Sequence, residues 1–504
     1  MSVQMREKDR YRPRPTVMDA LRSPKLFTKE TLAGIVVGLA LIPEAIAFAL
    51  AAGVPAEVGL FSAIVMAISI SFLGGRPAMI TGATAAVALV VKPVAEQYNV
   101  DYLIAVVILG GIFQVILGAL GVGKLMRFIP RSVMVGFVNA LAILIALAQL
   151  EHFKGASWMM YPMIAVSLVI LWLFPKLTKA IPAPLVVVIV MTMVVWLFGF
   201  DVKDVAALSG EDGLPGAPPL PFFPDVPLTV ETLQIIAPYA LGVAAVGLME
   251  SLMTAKLVDE ITDTHSSKTR EAMGQGGANI LSGLFGGMGG CAMIGQTMIN
   301  VRASGARTRV STFMAGVFLL IMVWFLGPIM NLIPIGALVA IMFMVAFLTL
   351  DWHSIAPSTL KRMPKSETIV MLVTVIPVLI THNLSIGVII GVFVAAILFV
   401  RRVAHFTSVS RTLSSDGKTA HYSVDGELFF ASSNDLTTQF EYADDPEKVI
   451  IDMSKSHVWD ASTVAALDGI EQKFREHESD VEIVGFNDAS SDFHGRLTGN
   501  LPSH

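Results

Sequence analysis

GGMGGCAMIGQT, residues 286–297, breaks a chain of apolar segments with a run too rich in glycine to be an ordinary membrane span. A second run of the same kind, GGRPAMITGAT, lies far upstream at residues 74–84. Each reads as a Gly-rich corner, a short extended stretch and the opening of a half-helix. In the first, Ala78-Met79-Ile80-Thr81 leads into Gly82-Ala83-Thr84; in the second, Cys291-Ala292-Met293-Ile294 leads into Gly295-Gln296-Thr297. How the rest of the chain is threaded around these two runs decides the fold.

The 504 residues are 54% hydrophobic and only 15% charged, with a mean hydropathy of +0.69, far too apolar for a soluble protein of this length. Apolar spans are expected near 32–52, 57–74, 101–121, 132–150, 159–175, 182–199, 235–257, 271–286, 312–333, 336–350, 367–381 and 384–403. With the two broken runs, near 78–96 and 288–301, they make about fourteen crossings of the lipid bilayer. Basic residues fall on alternate connections: Arg6 to Lys29, Lys124/Arg127/Arg131, Lys176/Lys179, Lys256/Lys268/Arg270, Arg302/Arg307/Arg309, Lys361/Arg362/Lys365 and Arg401/Arg402. The positive-inside rule then puts both termini in the cytoplasm, which requires an even number of crossings and therefore requires both broken runs to cross. The basic start, MREKDRYRPRP, reads as a retained cytoplasmic segment (residues 1–30), followed by a membrane domain over 31–404. A single cysteine, Cys291, excludes an intrachain disulfide framework, and the net charge of −5 says little about partners.

Opposed threading brings the N-termini of both half-helices to the membrane centre. Their unpaired N–H groups and positive dipole ends make an anion site there, and small residues let a ligand approach the backbone; the alternative is that the Gly-rich runs are tight packing corners. Two acids sit in apolar surroundings, Glu44 in AGIVVGLALIPEAIAFALAAG and Glu250 in YALGVAAVGLMESLMTAKLV. Charges at membrane depth are costly and usually mark an ion or proton path. Burial and a nearby anion both oppose ionisation of a carboxyl group, so such an acid takes up a proton together with an anionic substrate. Glu250 is the expected proton-coupling residue, and Glu44 an orienting group or a second proton site. The competing readings are that Glu250 satisfies backbone groups and that Glu44 snorkels outward. Lys92 at the outer end of the first half-helix and His382 in an outer loop rank lower. Lys256, Asp259, Glu260 and Asp263 read as a cytoplasmic end with local ion pairs.

From about Ser410 to His504 the chain turns polar, with strand-like runs HYSVDGELFFA, KVIIDMS and VEIVGF and a helical stretch from Ser462 to His477, which reads as a small cytoplasmic α/β domain over 410–504. Asp460 and Ser462 suit a helix start, and Ser462 is a phosphorylation candidate.

These pieces together resemble the sulfate permease anion transporter family over nearly the whole chain. AGIVVGLALIPEAIAFALAAGVPAEVGLFSA is similar to the family's first-span pattern of Pro-Gln, an apolar-aromatic run, Ala-Gly-Val-Pro and Gly-Leu-Tyr, with Glu44 in place of the usual Gln and Phe61 in place of the Tyr. GLMESLMTAKLVDEITDTHSSKTREAMGQGGANILSGLFGG resembles the eighth and ninth spans, and the tail is similar to the STAS domain of anti-sigma-factor antagonists. The resemblance implies two seven-span inverted repeats divided into core and gate domains, a homodimer, and elevator-like alternating access. It implies a bacterial cytoplasmic (inner) membrane location and a pocket formed by Glu44, Phe48, Gly82, Ala83, Thr84, Ile294, Gly295 and Gln296, with Glu250 coupling and Thr254 supporting it.

Two departures bear on mechanism. Animal members place an Arg where Gln296 stands, so positive charge here is left to the helix dipoles. Sodium-coupled bicarbonate carriers offer Asp and Thr on the eighth span and a Gly-Ala-Thr turn on the tenth. This chain keeps Glu250 and Thr254 but reads Ala292-Met293-Ile294, which supplies no hydroxyl for a hard cation. In the tail, Ala461 replaces the first Ser of the antagonist motif, which weakens the case for phosphorylation at Ser462. The expected activity is proton-coupled symport of a small anion: a dicarboxylate such as fumarate, sulfate or bicarbonate. Sodium-coupled bicarbonate symport and a passive channel or exchanger are the alternatives. No enzyme constellation, cofactor, metal site or nucleic-acid surface is expected, and a cytosolic partner of the STAS tail stays open.

Overall fold

The computed structural model describes residues 15–123, 129–178, 181–208, 218–221, 223–404 and 407–499. Of the basic residues used to set topology, those before Pro15 and Lys124, Arg127 and Lys179 lie outside this set. The chain divides after Gly391 into two compact units.

The first unit is helical. In chain order the segments are α1 (Pro24–Ala51), α2 (Ala56–Leu73), α3 (Ala85–Gln97), α4 (Val100–Ala119), α5 (Arg131–Gln149), α6 (Met160–Leu177) and α7 (Ala183–Phe198). Then follow α8 (Val230–Thr262), α9 (Lys268–Leu284), α10 (Ile294–Met298, continued by a π-turn over Ile299–Ala303), α11 (Arg309–Met330), α12 (Ile335–Thr349), α13 (Lys365–Thr381) and α14 (Leu384–Ala404), which leads into the second unit. Among the described residues, eight helices are long and apolar enough to cross a membrane, and α7 and α12 are shorter apolar helices. The protein is a helical membrane protein. The end at which the chain enters α1 is called the near end below, and the opposite one the far end.

Local chemistry sets the boundaries. Ser23 caps α1 by accepting from Leu26 N, with Pro24 in the first turn where its missing N–H costs nothing. Thr229 caps α8 and Ser267 caps α9 in the same way. Pro43 sits inside α1 and removes one helix hydrogen bond one residue before Glu44. Small residues bring helices together: a Cβ on Gly276 would lie 2.5 Å from the Gly111 carbonyl oxygen, so α4 and α9 touch backbone to backbone.

The two broken runs meet at the centre. Strand β1 (Thr81–Gly82) pairs antiparallel with β2 (Cys291–Ala292), Thr81 opposite Ala292 and Gly82 opposite Cys291. Met293 N donates to Ile80 O at 3.0 Å and extends the ladder. Only glycine fits at 290, where a Cβ would lie 1.8 Å from the Gly82 carbonyl oxygen. Irregular backbone at this depth needs internal partners, and buried side chains provide them. Asn279 bonds both Gly290 N (2.8 Å) and Gly290 O (3.1 Å) and is itself held by Gln114. Ser62 donates to Gly289 O, Asn300 to Ala78 O and Thr312 to Met79 O. Gln275 donates to Thr81 Oγ1 and to Glu271, whose other oxygen accepts from Gly75 N and Arg76 N.

In the second unit, strands β3 (Ser408–Leu413), β4 (Thr419–Leu428), β5 (Lys448–Val458) and β6 (Asp480–Val484) form one sheet in that order. The β3–β4 pair is antiparallel and the others parallel. Helices α15 (Phe430–Leu436), α16 (Ala461–Glu476) and α17 (Asp488–Leu497) complete it. A buried core gathers Tyr422, Phe440, Leu467 and Phe474. The run HYSVDGELFFA is a strand only to Leu428, because Ser432 turns the chain into α15 by hydrogen bonds to Phe429 N and Glu427 O.

Candidate functional site

Half-helix α3 opens at Ala85 with Thr84 as its cap, the Thr84 hydroxyl accepting from Val87 N. Half-helix α10 opens at Ile294, one residue earlier than the sequence suggests, and Met293 offers its first turn no side-chain cap. The α3 chain runs from the centre to the far end and α10 from the centre to the near end, so their N-termini face each other across the β1–β2 crossing. The first turn of a helix leaves backbone N–H groups without intrahelical partners, and a side-chain cap meets only one of them. In α3 these include Ala85 and Ala86; in α10 they are Ile294, Gly295 and Gln296.

All five of those residues line one central cavity of about 580 Å³. Glu44, Phe48 and Thr84 line it as well, and so does Glu250. The remaining wall is apolar, with Phe137 and Leu141 of α5, Met253 of α8 and Ile341 of α12 among its residues. Among the described residues, two carboxyl groups and no basic side chain face this space. A Cβ on Gly295 would meet nothing within 4 Å, as expected of a backbone that borders an open volume.

Both acids are held by specific partners. Gln296 Nε2 donates to Glu44 Oε1 at 2.5 Å, which ties α1 to α10. The Gln296 side-chain amide oxygen, Oε1, is buried and has no partner among the described residues. Cys291 Sγ donates to Glu250 Oε2 at 3.0 Å and lies 3.1 Å from Thr84 Oγ1, so a three-residue polar chain joins Glu250 to the cap of α3. The Thr254 hydroxyl points away from the cavity: it lies 2.8 Å from Glu250 O and 3.1 Å from Ala292 O and acts as a strut between α8 and β2. Ser251 supports the same strand by accepting from Ala292 N at 3.0 Å.

Of the residues expected to form the pocket, Glu44, Phe48, Thr84, Glu250, Ile294, Gly295 and Gln296 converge on the cavity. Gly82 and Ala83 do not; the strand pairing draws them into the crossing behind it, with Gly82 against Ala63 and Met293. Glu44 does not snorkel outward. It is 9% exposed and faces inward. The sequence reading missed Cys291 as a partner of Glu250, although this lone cysteine stands inside the broken run. It also missed two buried acids. Glu271 supports the Gly75–Arg76 corner, and Glu30 accepts from Arg307 N and Thr308 N at the start of α11. Both lie close to basic residues near segment ends, where a charge reads as exposed.

Lys92 pairs with Glu151 at 2.8 Å and Glu96 at 3.6 Å rather than adding potential to the central site. Asp259 pairs with Arg76 at 2.9 Å and Lys268 at 2.7 Å, an ion-pair cluster where one was expected. His382 is exposed, in a left-handed turn after α13. In the second unit, Ser462 is exposed in the first turn of α16, whose cap is Asp460, accepting from Thr463 N at 3.1 Å. Among the described residues no group of three metal-binding side chains occurs.

Comparison with known proteins agrees with this architecture. The family model described as Sulfate permease family matches residues 27–169 and 156–374, and the STAS domain model matches residues 413–492. A Bacillus subtilis protein named "Putative sulfate transporter YbaR" is 50% identical over 464 residues, covering 92% of this chain and 95% of its own. The bicarbonate transporter BicA of Picosynechococcus is 25% identical over 508 residues, 90% of this chain and 87% of its own. Among solved structures, the murine Solute Carrier 26 family member A9 anion transporter in the inward-facing state superposes with a TM-score of 0.80 at 18% identity, over 98% of this chain and 89% of that one. The transmembrane domain of a cyanobacterial BicA gives 0.64 at 22% identity, over 74% of this chain and 98% of that one.

Proposed function

The chain belongs to the sulfate permease family, a family of anion transporters and not of enzymes, and from that premise we propose that it is a secondary-active, proton-coupled symporter of a small oxyanion. The observation that carries the reading is the sign of the central cavity: two carboxyl groups, two half-helix openings with unpaired N–H groups, only the second of them without a side-chain cap, and no cation among the described residues. Backbone N–H groups and helix dipoles attract an anion, but an ionised Glu44 or Glu250 at the same site repels it. In a low-dielectric cavity that repulsion is large, so anion and proton load together. Glu250 is the coupling acid, because Cys291 and Thr84 connect it to the opening of α3. Glu44, tied to Gln296 at the opening of α10, orients the substrate or takes a second proton.

Sulfate is the first substrate candidate, since the 50% identical relative is named for it; bicarbonate and dicarboxylates such as fumarate fit the same donors. The half-helix pair, carried with α1 and α8, moves past the α5 and α12 wall to open the cavity to alternate sides. The test is uptake of labelled sulfate, bicarbonate, succinate and fumarate into proteoliposomes, with and without an inward proton gradient and with and without sodium. Uphill accumulation of one of these anions, driven by the proton gradient and indifferent to sodium, is the expected result. Equal uptake without the gradient sinks the coupling assignment, and dependence on sodium replaces the proton.

A further inference from the structure

We propose that a second cavity, at the far end of the bundle, is an anion site for a small divalent oxyanion, separate from the central one. This cavity has a volume of about 220 Å³ and lies between the turn after α5 and the start of α12. Glu151, His152, Lys154, Ser157 and Lys203 line it. The far end is poor in positive charge. Its connections carry no arginine, and its lysines are Lys92, Lys154 and Lys203. Two of the three line this cavity, and the third is bound to its glutamate.

Charge accounting at the cavity leaves a surplus. Glu151 is the acid on the wall, and the Lys92 ammonium already lies 2.8 Å from it, with Glu96 at 3.6 Å on the other side of Lys92. Lys154 attracts Glu151 at longer range, and neither Lys154 nor Lys203 has an acid within ion-pair distance among the described residues. Lys154 and Lys203 are exposed at the mouth of this cleft; two like charges facing one cleft repel, and a cleft of one sign concentrates its field on an incoming counter-ion. A divalent anion between the two ammonium groups removes the repulsion, and the Ser157 hydroxyl and His152 ring add hydrogen-bond donors.

The site is also held in place. Lys203 lies on a segment stitched to the chain before α12: its carbonyl accepts from Ile335 N at 2.9 Å, Asp204 bridges Pro334, and Val205 N donates to Ile333 O at 3.0 Å. Met160 and Met163 floor the cavity, and a Cβ on Gly336 would come within 2.9 Å of Met163 Sδ. A loose surface lysine has no such backbone anchor. The Lys203 backbone is fixed at the cavity while its side chain is exposed, and a fixed backbone lowers the cost of binding.

The test is site-resolved lysine acylation of the intact protein in neutral detergent, with sodium sulfate against sodium chloride at equal ionic strength. Acylation of Lys154 and Lys203 should fall about tenfold at sulfate ten times its dissociation constant. Lys256 and Lys361, exposed like Lys154 and Lys203 but away from the cavity, should stay unchanged. Lys203→Gln should abolish the protection of Lys154. Protection should persist in Glu250→Gln, since this site does not depend on transport, so failure of the transport reading leaves this result standing. No protection, equal protection of all lysines, or protection of Lys154 that survives Lys203→Gln would each overturn the proposal. Protection given by phosphatidylglycerol vesicles but not by sulfate would also overturn it, and would assign the cavity to a lipid headgroup.

Discussion

Gly290→Ala puts a methyl group into the narrowest glycine contact among the described residues. The new Cβ would lie 1.8 Å from the Gly82 carbonyl oxygen, and real Cβ contacts essentially never fall under 3.0 Å. The β1 and β2 backbones must therefore separate by at least about 1 Å, on the order of the misfit that overpacked cores show. Gly290 cannot retreat freely, because Asn279 holds its N–H at 2.8 Å and its carbonyl at 3.1 Å, and Gln114 holds Asn279. Overpacking costs about 1–3 kcal/mol, and losing the two Asn279 bonds adds about 0.5–1.5 kcal/mol each. The total, on the order of 2–6 kcal/mol, is a large part of a typical folding free energy. The shift also passes to the next residue, Cys291, which donates to Glu250, so anion uptake should fall with stability. Gly295→Ala is the control, because its Cβ would enter open space and should change stability by less than about 0.5 kcal/mol. Thermal unfolding in detergent, read by intrinsic fluorescence, compares the two. If Gly290→Ala unfolds at the same midpoint as Gly295→Ala, the strand crossing is not the rigid element described here.

Glu250→Gln keeps an oxygen near Cys291 but removes the titrating proton; under a proton gradient of one pH unit, sulfate accumulation in proteoliposomes should fall about tenfold, the equivalent of about 1.4 kcal/mol for one proton. Sulfate exchange at equilibrium should persist in that variant, and its loss would make Glu250 a binding group instead. In the second unit, burial pushes the Tyr422 hydroxyl up to about 12, and its hydrogen bond to Asp445 acts in the same direction. The neutral phenol is the folded form, so its contribution to stability is complete below about pH 10 and is lost as pH rises from there through about 12. Hydrogen exchange of β4 amides in the intact chain should accelerate across that window more steeply than in Tyr422→Phe.

Much of the fold was legible because membrane geometry leaves few choices. Apolar length, alternation of basic connections and the need for an even count together required the two Gly-rich runs to cross, and that placed their half-helices tip to tip. Start positions were less legible. The α10 opening at Ile294 rather than Gly295 is set by β2 pairing with β1, a contact between residues far apart in sequence. The same pairing removes Gly82 and Ala83 from the cavity wall, although small residues at a half-helix opening read as ligand contacts. Thr254 misled for a related reason. Its spacing from Glu250 matches a coordinating pair, but at i+4 on a helix a threonine hydroxyl also reaches the carbonyl one turn back, and that bond is the one made.

Glu44 and Gln296 show how two departures that look independent in sequence become one contact. Against the family pattern, Glu replaces Gln on the first span, and Gln replaces the Arg of animal members at the second half-helix. In the folded chain these side chains hydrogen-bond across α1 and α10 at the edge of the cavity. Where the animal members' pattern would pair a neutral amide with a fixed positive charge, this chain pairs an acid with a neutral amide. The fixed cation that would hold an anion at any pH is gone, and a group whose charge depends on a proton stands in contact with its replacement. On the proposed reading the exchange converts permanent electrostatic attraction into attraction that exists only when the acid is protonated. An anion then binds here at the expense of taking up a proton, and the pair of substitutions is itself an argument for coupling rather than passive conduction. Reversing both together, Glu44→Gln with Gln296→Arg, should therefore make anion binding less dependent on pH, whereas Gln296→Arg alone should form an internal ion pair with Glu44 and weaken it.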